Sequence, residues 1–595
     1  MSKDEKKTLG KLLLKTRLYN GIERESICLG CCDEQMYYRI ERNQTEPDGL
    51  LFALLWERLG VSLFRMNIIL AEEGNEWYKY KEKAYNAILL KDIESAEVLR
   101  EKMGKIKGLN LRIQSQFLKY LDYAIEMMKT GFSKSAYENI KEAVYCTIGN
   151  PFEIDFSQRR IGQEEVHLLC SFFMAHLRVY SSDAELIRRS LYDISKKYID
   201  TVFDNSASAG ALSRIAATEI KCFDSQANRE MISCAVDRIR GSQSIYDLPL
   251  LLLYLGEECT DAGKRNKKWG EVLSELYSEF GGGYIFREEL VHPQLPHICK
   301  MQDFIKTGRL DKGFTQEKIS EGILEPENYS RIENGRRKPH KDNLKRIIQR
   351  LDLEWGYFQG IILTDEYECV LKRIEAEYAL REEDRKKCLE NLEYLESKLD
   401  MQICQNKQYC EHLRISLDLK EGRVSPEVAE EKLTNLLKLT EADDRIIRYY
   451  SPQESTIMLS LATLYRRRLN KPDKALDIIE RYLRNELRKE FPNISRIYEF
   501  KRVLAGIYGD QKEWEKEENI AYEGLTYIFT SNQAGMLEQF LDLYLEGKSK
   551  GSIKKGEEGL LVSAAYMADL YNEHPNSRKL KKYLETNFQK SSEWY

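Results

Sequence analysis

Proline is scarce in this sequence, 12 in 595 residues. Little of the chain is therefore barred from the helix interior. Strand-like alternation is also rare, while apolar residues recur at helical spacing over long stretches, so the fold class expected is all-α. No apolar run approaches the roughly 18 residues that a membrane-spanning helix needs. The opening segment MSKDEKKTLGK lacks the apolar centre of a signal peptide, and a cytoplasmic protein is expected. In that compartment 13 cysteines, an odd number scattered through predicted helices, read as free thiols rather than disulfides. A surplus of positive charge is missing too. The formal net charge is −5, so any surface that attracts nucleic acid has to be local. No Gly-rich phosphate loop, nucleophile motif or convincing carboxylate pair occurs, and neither an enzyme nor a cofactor is expected.

Against that background one stretch stands out, GFTQEKISEGILEPENYSRIENGRRKPHKDNLKRIIQRLDL, residues 313–353. Thr315 suits a helix N-cap ahead of a short helix from Gln316 to Glu321. Gly322 permits a sharp turn, and Pro326 opens a second helix at a position where a missing N–H costs nothing. Tyr329 and Ile332 face inward, which leaves Glu327, Asn328, Ser330 and Arg331 outward. Asn334-Gly335 stops the helix, and Arg336, Arg337, Lys338 and Lys341 follow. A short polar-faced helix beside a cationic segment is what base reading and phosphate gripping require.

The N-terminal stretch 1–70 holds a second copy. At an offset of 292, Arg17 falls on Arg309, Gly21 on Gly313, Ile27 on Ile319, Gly30 on Gly322 and Tyr37 on Tyr329. Arg39-Ile40-Glu41 falls on Arg331-Ile332-Glu333, Pro47 on Pro339, and Arg58-Leu59 on Arg350-Leu351; 13 of 43 positions agree without a gap. A fixed offset on turn glycines, core positions and a charge pair signals an internal duplication. The organisation expected is a first helix-turn-helix unit at 1–70, a first helical-repeat region at 71–290, a second unit at 301–363 and a second helical-repeat region at 364–595. Long amphipathic stretches follow each unit, Glu76 to Met103 and Tyr367 to Leu399. The segment from Val291 to Cys299 carries Pro293 and Pro296 and reads as an extended linker. Leu461-Ala462 and Leu504-Ala505 recur about 43 positions apart, as in stacked helical pairs that enclose a concave groove.

The motif TQEKISEGILEPENYSRIENGRRKP resembles the helix-turn-helix of XRE-type, phage-repressor-like regulators. With tetratricopeptide-like helices after it, the chain is similar to the RRNPP family of peptide-responsive regulators of Gram-positive bacteria. The resemblance implies double-stranded DNA and a short peptide effector as partners, with no membrane. Family members are typically a single module and dimerise. This chain carries two, so it is either a monomeric pseudo-dimer or a homodimer. The resemblance gives Gln316 a phosphate contact and makes Arg309–Glu333, repeated as Arg17–Glu41, a buried structural pair.

Asn328 and Ser330 carry groups that read base edges. Glu327 either accepts from a cytosine amino group or only favours the helix dipole. Arg331 reads as a phosphate contact or a surface ion pair, and Arg336, Arg337 and Lys338 as phosphate contacts. Residues 301–350 hold 12 Lys and Arg against 8 Asp and Glu, whereas residues 9–58 hold 7 against 8. The second unit is thus expected to bind DNA more strongly. Arg24, Arg39 and Arg42 are the weaker candidates in the first, where Asp33, Glu34, Glu46 and Asp48 crowd the region. Cys28, Cys31 and Cys32 lack a paired Cys or His at ligand spacing, so no metal is expected. The leading expectation is a transcription regulator with an effector-binding helical region. The alternative is a protein-interaction scaffold whose helix-turn-helix units are relics.

Overall fold

The computed structural model describes residues 9–45, 47–61, 67–70, 72–201, 205–281, 297–337, 339–351, 358–359, 361–440, 450–553, 558–571 and 574–588. Among these residues the backbone is all-α apart from one small three-stranded sheet. No helix among them is long and apolar enough to cross a membrane.

The first unit comprises the helices Leu9–Tyr19, Arg24–Cys28, Glu34–Glu41 and Gly49–Arg58. The second comprises Met301–Asp311, Gln316–Ser320, Pro326–Glu333 and Lys341–Arg350. Every helix bound in the second unit is the corresponding bound of the first shifted by one constant offset, the offset of the sequence match. The correspondence continues into the arrays. Each long amphipathic stretch is broken in two, into Glu72–Leu90 and Ile93–Gly104, and into Tyr367–Arg381 and Arg385–Lys398. Both breaks have the same construction. Lys91 and Glu383 take positive φ, 56° and 61°. Asp92 and Asp384 then cap the next helix, accepting from the amides of Ser95 at 3.0 Å and Lys387 at 3.1 Å. Apolar spacing runs across each break, which is why the sequence reads there as one helix.

Later helices stack as antiparallel pairs: Pro452–Arg467 on Pro472–Glu486, Ile494–Asp510 on Trp514–Ser531, and Leu537–Lys548 on Gly559–Leu570. The two Leu-Ala pairs lie on the leading helices of the first two of these, Leu461-Ala462 on Pro452–Arg467 and Leu504-Ala505 on Ile494–Asp510. Leu461, Ala462 and Ala505 are buried there.

The halves meet in two places that share a property. The sheet has the order β2-β1-β3, with β1 Asn67–Leu70, β2 His297–Lys300 and β3 Phe358–Gln359. Thus the linker ends in a strand, while its residues 291–296 lie outside the described residues. β1 runs parallel to β2 and antiparallel to β3, and in the second pairing Asn67 sits opposite Gln359, its own counterpart at the common offset. The arrays touch through an antiparallel bridge between Ser244 and Gln533. Here the amide of Ile245 donates to Asn532 O at 3.1 Å, and the amide of Ala534 donates to Gln243 O at 2.7 Å. Gln243 and Asn532 end the helices Arg229–Ser242 and Trp514–Ser531 in the left-handed conformation, φ 55° and 57°. Each residue again meets its counterpart, now at a slightly shorter offset. In both contacts equivalent residues face each other, the local arrangement found across a two-fold axis.

Phe280 seals the contact between arrays, with ring centroids 5.4 Å from Tyr544, 5.8 Å from Tyr522 and 6.4 Å from Phe529. The first unit's core is continuous with the first array and with the last helices of the second. By contrast, Ile305, Ile319, Tyr329, Ile332, Ile347 and Leu351 form a small core belonging to the second unit alone.

Candidate nucleic-acid interface

Short helices of five to eight residues are held by their ends and by one rivet. The Thr315 hydroxyl accepts from the Lys318 amide at 3.2 Å, capping Gln316–Ser320. Gly322 turns the chain at φ 67°, and Pro326 opens the next helix at its first turn. That helix buries Tyr329, Ile332 and Glu333. The Glu333 carboxylate accepts from Nε and Nη2 of Arg309, both at 2.7 Å, while Arg309 Nη1 donates to Phe314 O at 2.7 Å. The hydrogen bond to Glu333 pushes the Arg309 guanidinium above its ordinary pKa. The first unit repeats the rivet, with Arg17 Nε 2.5 Å from Glu41 Oε1 and Arg17 Nη1 donating to Ile22 O at 2.8 Å.

The opposite face of Pro326–Glu333 gathers most of the sequence candidates. Glu327, Arg331, Arg336 and Arg337 are exposed, and Gln316, Asn328 and Ser330 are half-buried. Lys338 lies outside the described residues. The basic segment is not a projecting wing. The amides of Arg336 and Arg337 both donate to Arg331 O, at 2.7 and 3.2 Å, so the segment folds back over the helix C-terminus. Only Gly335 takes positive φ there, 69°, while Asn334 stays at −96° and donates Nδ2 to Ser330 O at 2.7 Å. The Arg337 guanidinium donates to Asn328 Oδ1. That contact ties a cation of the basic segment to an amide on the helix face and could not be read from spacing, because it crosses the turn.

The first unit has the same frame and a different face. Asp33 and Asp48, two of the crowding acids, are helix caps, accepting from Met36 N at 2.7 Å and from Leu50 N at 3.0 Å. Arg24 donates Nε to Glu41 Oε2 at 2.8 Å, which raises its pKa. Tyr38 stands where the second unit has Ser330, and the guanidiniums of Arg24 and Arg42 lie 5.0 and 5.2 Å from its ring centroid. Arg39 is exposed. Cys28 and Cys31 are buried and Cys32 half-buried, all free thiols. Among the described residues no group of His, Cys, Asp and Glu is arranged to hold a metal.

This unit is also docked. Arg58 Nη1 donates to Ile27 O at 2.6 Å and Leu29 O at 2.8 Å, capping its own short helix. Its Nε and Nη2 reach Glu165 of the first array at 2.9 and 2.6 Å, with both side chains fully buried. Burial works to raise the Glu165 carboxyl, but the Arg58 charge overcomes it and the pKa ends below the ordinary range.

Two short helices joined by a glycine turn, with a polar outward face on the second, define the helix-turn-helix class. A helix-turn-helix family profile matches residues 305–358. An uncharacterized HTH-type transcriptional regulator of Bacillus subtilis (strain 168), YqaF, is 39% identical over 59 residues, 10% of this chain and 78% of that protein. The chain belongs to the HTH-type transcriptional regulators. Two solved structures of Bacillus thuringiensis PlcR also overlap it. The complex with the peptide PapR7 and DNA does so at 17% identity and TM-score 0.34, over 47% of this chain and 98% of that one. The apo form does so at 16% identity and TM-score 0.31, over 46% and 97%.

Proposed function

We propose that this protein is a DNA-binding transcription regulator in which the second unit reads DNA and the helical arrays bind an effector. The observation that carries the reading is the second unit's outward face. There Gln316, Glu327, Asn328, Ser330 and Arg331 surround a helix whose inward face is wholly core, and Arg336 and Arg337 close over its end. Asn328 and Ser330 address base edges, and the three arginines and Lys338 address phosphates. Arg39 and Arg42 give the first unit a weaker grip. Arg24 is committed to Glu41.

On this reading the chain is a tandem duplication, divided as 1–70, 71–290, 301–363 and 364–595, with arrays of tetratricopeptide-like pairs. The contacts between equivalent residues support a single chain that serves as its own dimer. The effector site is a cavity of about 1320 Å³ between the second array and the helix Glu72–Leu90. Its wall holds buried polar groups without a hydrogen-bond partner among the described residues: both ends of the Gln453 amide, Gln408 Oε1, the Tyr409 hydroxyl and Arg502 Nε. Free amide donors and acceptors beside tyrosines suit a short peptide. Burial also keeps His412 on this wall neutral, pushing its pKa down to about 4.

The test is fluorescence anisotropy on genomic fragments at several salt concentrations. Replacing Arg336 and Arg337 by alanine is expected to lower the salt slope by about 2, at about 0.9 for each phosphate left without its cation. Unchanged affinity and slope would remove DNA from the reading. For the cavity, Gln453→Leu with Arg502→Met is expected to lower retention of a synthetic short-peptide pool about tenfold. Equal retention would remove the peptide.

A further inference from the structure

We infer that Cys28, Cys31 and Cys32 form a redox site at the turn of the first unit, where a hydroperoxide converts Cys28 and Cys32 into a reversible disulfide. The inference stands apart from the DNA and effector readings above.

The backbone gathers the thiols. Cys28 ends the helix Arg24–Cys28, and the amides of Cys31 and Cys32 both donate to Cys28 O at 3.0 Å. That closes one turn, with Gly30 at φ 84° inside it. Residues joined by such a turn bring their Cα atoms to about 6 Å, inside the roughly 4.4–6.8 Å that a disulfide spans. The side chains converge as well. The Cys32 thiol is hydrogen-bonded to both Cys28 and Cys31. Cys31 Sγ faces Cys28 O at 3.1 Å, and Arg58 Nη1 lies 3.5 Å from Cys31 Sγ.

The three sulfurs divide the chemistry. The hydrogen bond from Cys32 draws the Cys28 thiol below its ordinary pKa, against burial. The same kind of bond, with the Arg58 charge behind it, draws Cys31 down. Cys32, which lends its proton to both, is pushed up. Thiolate character is what lets a cysteine attack an oxidant. Cys28 and Cys31 are buried, while Cys32 is half-buried and opens the group to a small oxidant such as hydrogen peroxide. The Cys28 thiolate attacks one peroxide oxygen, the O–O bond breaks, hydroxide leaves, and Cys28 becomes a sulfenic acid. The Cys32 sulfur then attacks the Cys28 sulfur and the S–O bond breaks. The Cys32 proton departs with that oxygen as water. The two thiols lose two electrons in all, and the hydroperoxide takes them.

The helix-turn-helix frame does not need these thiols. At the common offset their counterparts are Ser320, Ile323 and Leu324. Ser320 Oγ donates to Glu317 O at 3.1 Å where Cys28 Sγ faces Glu25 O at 3.9 Å, and Ile323 and Leu324 pack on the second unit's small core. The first unit's turn is also gripped from outside. Asn110 Nδ2 donates to Cys31 O at 3.0 Å, Arg112 Nη1 to Gly30 O at 3.1 Å and Arg159 Nη2 to Leu29 O at 3.0 Å. A Cβ on Gly30 would lie 1.9 Å from Thr147 O of the array, whereas a Cβ on Gly322 would meet nothing within 4 Å. The turn that carries the sulfurs is thus fixed before any oxidant arrives. Arg58, which touches Cys31, also docks the unit on Glu165, so oxidation acts where unit and array meet.

The experiment treats the full chain with hydrogen peroxide. Free thiols are blocked with N-ethylmaleimide, the protein is reduced, and the released thiols are labelled with iodoacetamide. The tryptic peptide 25–39 carries all three cysteines, so fragment masses assign each label. Iodoacetamide is expected on Cys28 and Cys32, with N-ethylmaleimide on Cys31. The pair should form about tenfold faster than the exposed Cys259 and Cys404 are oxidised. In Cys32→Ser, with helix content checked, the disulfide should be absent and dimedone should trap Cys28 as the sulfenic acid. A group that stays reduced, or that oxidises no faster than Cys259 and Cys404, overturns the site. A released pair other than Cys28 and Cys32 overturns the assignment of roles, as does a disulfide that survives in Cys32→Ser. The readout involves neither DNA nor peptide, so its failure is separate from failure of the proposed function.

Discussion

Single side chains set what each unit can do, and the buried charges are the clearest case. Glu333 is 2% exposed as a side chain and depends on Arg309. Arg309→Ala strands that carboxylate, at a cost of about 3–5 kcal/mol. The second unit, with its small separate core, is expected to unfold alone, so DNA binding is lost while most of the helical circular dichroism remains. Glu517 makes the opposite case. Its side chain is buried with neither carboxylate oxygen bonded among the described residues, and burial, then the neighbouring Glu546, pushes its pKa up to about 8. The folded pKa lies above the ordinary 4.5, so the favourable contribution is complete below about pH 4.5 and is lost as pH rises to about 8. Thermal unfolding followed from pH 5 to 9 should show a falling midpoint, and Glu517→Gln should flatten that fall. Nothing in the sequence pattern marks Glu517, because burial on a helix of mixed composition depends on which neighbours stack over it.

At the level of elements, much was legible. Caps, turn glycines, the proline start and the charge rivet follow local rules, and they stand at the positions expected for 313–350. The first unit was legible through the same rules at the same offset. Less accessible were the contacts that cross a turn or leave the unit, such as Arg337 on Asn328 and Arg58 on Glu165. Spacing reports which residues share a helix face but not which remote element comes to meet them. The paired breaks at Lys91 and Glu383 were also missed, since a positive φ at lysine or glutamate has no compositional signature. Glycine substitution separates local from remote effects. Gly322→Ala should cost about 1 kcal/mol, the strain of its positive φ. Gly30→Ala adds a clash with Thr147 O and should cost considerably more, measured as the difference between two denaturant midpoints.

The whole molecule behaves as two halves facing each other across Asn67–Gln359 and Ser244–Gln533. Aromatic packing of Phe280 against the second array, together with the bridge and the sheet, should hold the halves together without the covalent connection. A protease site placed within residues 286–292 and cut in the purified protein is expected to leave one species on size exclusion under native conditions. Separate elution of two fragments would mean that the connection is what holds them.

The two positions where equivalent residues meet carry a further consequence for inheritance. In a dimer of identical chains, a residue on the axis always meets its own copy, so any mutation there is tested twice at once. Here Asn67 meets glutamine and Ser244 meets glutamine. Each side can change alone, and a partner can answer later. Selection can therefore tune the two facing surfaces separately, a freedom that a gene encoding only half of this chain would not have.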